Sequence, residues 1–78
     1  MNDSDYIYEV TFWKNGHIRD VYRRRRDGGE FMEYIPGKGW ILSEEAADVF
    51  NGDVEFNTYS RPESIIMETI GAWEKNGV

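Results

Sequence analysis

The 78-residue chain contains no cysteine, two prolines and one histidine. Without cysteine there is no disulfide framework and no thiolate metal site. No run of about 18 apolar residues is present, and no charged-then-apolar leader. The expectation is therefore a soluble, unexported protein, cytoplasmic by default. Repeats, low-complexity segments and candidate linkers are also missing, so residues 1–78 are read as one small domain.

The chain is rich in rings instead, with three Trp, five Tyr and four Phe, and it is 40% hydrophobic. That content argues for a packed core rather than disorder. Net charge is −6, unevenly spread. Residues 1–26 hold six Lys/Arg against four Asp/Glu, and residues 27–78 hold three against eleven. A basic patch on an acidic body suggests oriented encounters with a charged partner.

Asp5 to Arg26 reads as a β-hairpin. Tyr6, Tyr8, Val10 and Phe12 alternate with Ile7, Glu9, Thr11 and Trp13, a period of two with one apolar face. Asn15-Gly16 marks the reversal. A two-residue loop would set Tyr8 against Arg23, placing arginines on the apolar face. A three-residue loop, Lys14-Asn15-Gly16, instead pairs Phe12 with Ile18, Val10 with Asp20 and Tyr8 with Tyr22, and is preferred. Asp20 is then the one misfit on that face.

Met1 to Ser4 is a short polar lead, expected to fray. Asp27-Gly28-Gly29 offers the positive-φ positions of a second turn. Glu30 to Ile35 predicts a third strand with apolar contacts on both faces. Pro36-Gly37-Lys38-Gly39 is a turn, and Trp40-Ile41-Leu42 a short apolar anchor. Ser43 is the expected N-cap of a helix that begins with Glu44 and Glu45 and stops at Asn51-Gly52. Alternation over Asp53 to Tyr59 predicts a fourth strand.

Ser60 and Glu63 have capping-box spacing for the last helix. Its stripe is Ile66, Ile70 and Trp73, it ends at Asn76-Gly77, and Gly71 within it suggests close packing on the sheet. The expected fold is α+β: a mostly antiparallel sheet in the order β-β-β-α-β-α with both helices on one face.

Catalytic signals are weak. His17 sits beside a turn with no nucleophile at a meaningful spacing, and Glu44/Glu45 and Asp53/Glu55 read as solvated faces. The glycine segments lack the ending and setting of a phosphate loop. Oxygen ligands at Asp3, Asp5 and Asp48 to Glu55 fit no calcium loop. No enzyme, metal or cofactor is expected.

Two charged features remain. Arg23, Arg24, Arg25 and Arg26, extended by Lys14 and Arg19 and flanked by Tyr22 and Tyr34, form a basic-aromatic run. Such a run can clamp phosphates or stack single strands, though a pI near 4.6 is far from the usual balance of nucleic-acid binders. The bland account is an arginine-blunted strand edge paired with nearby acids.

Glu44, Glu45, Asp48, Asp53 and Glu55, with Glu63, Glu68 and Glu74 beyond them, form an acidic surface. Its bland account is solubility. Its functional account is docking on the basic groove of a nucleic-acid-handling protein, in competition with that protein's substrate.

Very short, acidic, cysteine-free and mixed in its elements, the chain in general character resembles the small inhibitors that phages make against bacterial defence systems, anti-CRISPR proteins among them. The resemblance rests on size and composition and carries no residues across. It implies a non-enzymatic protein-binding module. The alternative is a small RNA/DNA-binding module using the arginine run. An exposed strand edge leaves dimerisation open.

Overall fold

The computed structural model describes residues 5–76. The expected polar lead Met1 to Ser4, Asp3 among it, and the helix-stop Gly77 lie outside the described residues. Four strands come first: β1 (Tyr6–Phe12), β2 (Ile18–Arg25), β3 (Met32–Ile35) and β4 (Gly39–Leu42). Helix α1 (Glu44–Asn51), the two-residue β5 (Tyr59–Ser60) and helix α2 (Glu63–Lys75) follow. The sheet order is β4-β3-β2-β1-β5, and each pairing is antiparallel. The fold is α+β.

The β1–β2 loop has the three-residue form. The Trp13 amide donates to the His17 carbonyl at 2.8 Å, the Gly16 amide donates to the Trp13 carbonyl at 3.0 Å, and Gly16 takes φ +89°. Glycine is the residue that adopts that conformation without a Cβ clash.

Phe12 then faces Ile18 as expected, but the next pair is Thr11 with Asp20. Arg19 is the extra residue of a bulge, and every later pair shifts by one. Val10 meets Val21, Tyr8 meets Arg23 and Glu9 meets Tyr22. The pairings expected for Val10 with Asp20 and Tyr8 with Tyr22 are thereby corrected. The physical reason is burial: Val10, Val21 and Tyr22 all reach 0% exposure. Asp20 is no longer a misfit, because it sits on the other face beside Thr11.

An arginine on the apolar face is tolerated because rings receive it. The Arg23 guanidinium carbon lies 3.8 Å from the Tyr6 ring centroid and 4.1 Å from that of Trp40. Aromatic faces attract guanidinium planes while the stem packs as hydrocarbon.

The sheet separates two cores. Tyr8, Val10, Val21 and Ile66 form one, with Tyr34, Trp40, Ile70 and Trp73 packed around them. Tyr22, Ala46 and Val49 form the other, with Phe31, Phe50 and Val54 against them. Adjacent strand residues point to opposite faces, so Val21 turns to α2 and Tyr22 to α1. The helices thus lie on opposite faces, not together on one. A sheet with apolar residues on both faces requires a cover on each.

Three further local expectations change. Gly39–Leu42 is a full strand closing a hairpin with β3, not merely an anchor. Of Asp53 to Tyr59 only Tyr59 is strand, pairing with Val10 while Ser60 pairs with Glu9. With Ser60 in the sheet, α2 starts at Glu63 with Pro62 at the N-cap and no side-chain cap, so the capping box does not form.

Gly71 is exposed, with open space where a Cβ would stand; it permits no close approach to the sheet. In the second turn Gly28 takes φ +100°, and the other positive φ belongs to Glu30, at +54°, rather than to Gly29. Among the described residues no helix is long and apolar enough to cross a membrane.

Candidate binding surface

Of the acidic residues of the second half, Glu44, Glu45 and Asp48 lie on α1, and Glu63, Glu68 and Glu74 on α2 across the sheet. The Ser43 hydroxyl accepts the Ala46 amide at 3.2 Å, capping α1. Glu44 and Glu45 therefore occupy the first turn, where the helix dipole favours negative charge. Asp48 follows one turn later on the same outward side. Gly52 ends the helix in the left-handed region, and its amide donates back to the Asp48 and Val49 carbonyls. The chain then carries Asp53 and Glu55 past the helix end.

All five carboxylates are exposed. None makes an ion pair among the described residues; the two pairs present are Arg19–Asp20 and Arg25–Asp27.

Beneath this surface lies a feature that the sequence reading missed. On the sheet face under α1, Tyr22 is flanked along its strand and across it by Asp20 and Glu33. Among the described residues its hydroxyl is buried without a hydrogen-bond partner. Burial first, and then the charges of Asp20, Glu45 and Glu33, hold its pKa far above the ordinary tyrosine value. Glu45 is the carboxylate placed to accept from that hydroxyl, short of a formed hydrogen bond.

Desolvation, reinforced by Glu45 and Asp20, also raises the Glu33 carboxyl, and the Ser43 hydroxyl opposes the shift. That hydroxyl donates to Glu33 Oε1 at 3.4 Å. Asp20 and Tyr22 are two apart on β2 and Glu33 lies opposite Tyr22, so the three share a face, and the register shift takes that face away from Tyr8 and Val10.

At the hairpin end of this face a groove of about 410 Å³ opens. Thr11, Asp20 and Glu45 line its polar side, and Phe12, Phe56 and Tyr59 its apolar side, with Arg19 at the rim. Thr11 Oγ1 donates to Asp20 Oδ2 at 2.7 Å, and Arg19 Nε approaches the same oxygen at 3.4 Å. Among the described residues no three carboxylate or histidine side chains come close enough to hold a metal ion.

The basic run is dispersed rather than gathered. Arg23 is stacked between Tyr6 and Trp40 on the α2 side. Arg24 points to the α1 side, over the Phe50 ring at 5.6 Å. Arg25 pairs with Asp27 at 3.2 Å, and that hydrogen bond raises the guanidinium and lowers the carboxyl in this exposed pair. Arg26 is exposed in the turn beyond β2.

Lys14 and Arg19 stand at the far end of the hairpin, where Arg19 lies 4.9 Å from the centroid of the exposed Trp13 ring. His17 is exposed in the same loop, its amide donating to Asn15 Oδ1 at 3.0 Å.

On the α2 side, the expected acidic residues serve partly as hydrogen-bond acceptors. Tyr8 donates to Glu63 at 3.0 Å. Glu74 accepts from Tyr34 and from the Gly37 amide, contacts that lower its own pKa. No family model, curated protein or solved structure matches this chain.

Proposed function

We propose that the protein is a non-enzymatic protein-binding module whose α1 side docks on a basic surface of a nucleic-acid-handling protein. As an inhibitor of the kind directed against bacterial defence systems, it would occupy the groove that nucleic acid otherwise fills. One observation carries the reading. The exposed carboxylates of Glu44, Glu45, Asp48, Asp53 and Glu55 share one side of the molecule with no paired cation among the described residues. By contrast, Arg23, Arg24 and Arg25 are taken up by rings or by Asp27. Such a surface repels nucleic acid and speeds encounter with a basic partner.

The test is affinity capture from bacterial lysate at low and high salt, with and without nuclease, using the native chain and a Glu44→Lys/Glu45→Lys/Asp48→Lys variant. A salt-sensitive, nuclease-resistant protein partner should be held by the native chain and weakened more than tenfold by the triple reversal, about 1.4 kcal/mol or more. Equal retention by the variant rejects the reading. Recovery of nucleic acid alone would move the function to the arginines.

A further inference from the structure

We propose that the open edge of β4 is a self-pairing surface, through which two copies of the chain join antiparallel about a two-fold axis centred on Ile41. The inference goes beyond the docking reading and does not depend on it.

The backbone sets the register. β4 ends the sheet order β4-β3-β2-β1-β5, so one of its sides has no neighbouring strand among the described residues. The Ser43 amide donates to the Phe31 carbonyl at 3.1 Å, and Ser43 is still extended, at φ −147° and ψ 127°. Alternate residues of an antiparallel strand bond to the same side, so Ser43, Ile41 and Gly39 turn their peptide groups to β3. Trp40 and Leu42 turn theirs to the open edge. Two such edges match when Trp40 of each copy lies opposite Leu42 of the other, each pair exchanging both N–H···O bonds. Ile41 then faces its own counterpart across the axis.

The side chains agree with that register. Leu42 is 71% exposed and Ile41 39%. Edge strands are commonly blunted by charge or proline, and β4 reads Gly-Trp-Ile-Leu, with neither. Pairing sets Leu42 against Trp40 on one face and Ile41 against Ile41 on the other, apolar partners across the joint. Charge is complementary at both ends. Exposed Lys38 precedes β4 and exposed Glu44 follows it, neither in an ion pair among the described residues, so each comes to the same end as the opposite charge of the second copy.

Helix α1 packs on β2 and β3, which leaves the edge clear. The axis is normal to the sheet, so the two five-stranded sheets become continuous and both α1 helices share one face. A four-residue edge buries less than the roughly 1,200 Å² of a standard interface, so the dimer is weak.

The test combines sedimentation equilibrium with cross-linking. The native chain should move from monomer toward dimer mass between about 10 µM and about 1 mM. Leu42→Lys should weaken association at least tenfold. Lys38→Glu should weaken it at least threefold at low salt, and Lys38→Glu/Glu44→Lys should recover most of that loss. All of these positions are exposed, and each variant should keep the native circular dichroism spectrum.

The register is read with oxidised glutathione, since the native chain has no cysteine. Ile41→Cys should give a disulfide-linked dimer, because a residue opposite itself in such a pair has its Cα atoms about 4.5 Å apart. Leu42→Cys, displaced two residues from its counterpart, lies beyond the roughly 7 Å that a disulfide tolerates and should link at least tenfold less. A native chain still monomeric at about 1 mM, including one whose β4 edge instead takes up a strand of a different protein, overturns the proposal. Equal linking by the two cysteine variants, or a charge swap that restores nothing, overturns it as well.

Discussion

Removing the Tyr22 hydroxyl should stabilise the protein. Tyrosine-to-phenylalanine changes in a core usually cost stability through a lost hydrogen bond, but Tyr22 is completely buried and its hydroxyl has no partner among the described residues. An uncompensated buried hydroxyl costs about 1–3 kcal/mol. The nearby Glu45 returns part of this through electrostatics, so Tyr22→Phe should gain about 1 kcal/mol. In a domain of this size that corresponds to a rise of roughly 4–8 °C in Tm.

Tyr8, on the other sheet face, provides the contrast. Its hydroxyl donates to Glu63 at 3.0 Å, so Tyr8→Phe should lose about 1 kcal/mol. Urea denaturation with unchanged m-values reads both. The pH dependence adds a second check. A native pKa above the unfolded one means that stability is fully present below the ordinary tyrosine value of 10.0 and falls as pH rises beyond it. Phenylalanine lacks that liability, so the advantage of Tyr22→Phe should widen above about pH 10. A Tyr22→Phe protein less stable than the native chain by about 0.5 kcal/mol or more would refute the reasoning, because the hydroxyl would then have been satisfied.

Other outcomes follow from the same structure. Glu33 is raised by burial and by its acidic neighbours, so Glu33→Gln should be at least as stable as the native chain at pH 7. That gap should close as pH falls toward the ordinary glutamate value of 4.5 and stay closed below it, and a gap that instead widens on acidification would contradict the assignment. Arg23→Ala should lose about 2 kcal/mol by denaturant titration, and Arg23→Lys about half as much, because an ammonium cannot stack between two rings as a guanidinium does. A loss under about 0.5 kcal/mol for the alanine variant would show the stacking to be incidental. Gly71→Ala meets no neighbour and should add up to about 1 kcal/mol through helix propensity, visible as a higher Tm.

The hairpin loop was legible because its chemistry is local: Asn15, Gly16 and the alternation around them decide it. The bulge was not, because it depends on a ring far along the chain. Keeping arginines off the apolar face is sound for a hairpin alone, and Trp40, brought alongside by β4, is what makes Arg23 acceptable there. The same distance effect hid β4 itself. Trp40 to Leu42 is short and apolar throughout, so no period distinguishes it, and only pairing with β3 defines it as a strand.

Asp53 to Thr58 alternates convincingly but does not join the sheet, where only Tyr59 and Ser60 pair with β1. Val54 packs under α1 instead, and Phe56 stays 41% exposed at the groove. The acidic residues of α1 were readable one by one, from Ser43 onward. Their relation to Tyr22 was not, since it depends on the register shift and on which face α1 covers.

Val21 and Tyr22 are neighbours in sequence, yet each belongs to a different apolar cluster. Substitutions on the α1 side should therefore leave the α2 cluster nearly untouched, and changes far apart with no shared contacts add in free energy. Such a partition lets the α1 half change while the other half preserves the architecture. A lineage built this way could diverge rapidly over α1 and the segment after it, and it could be re-engineered there without redesigning the scaffold.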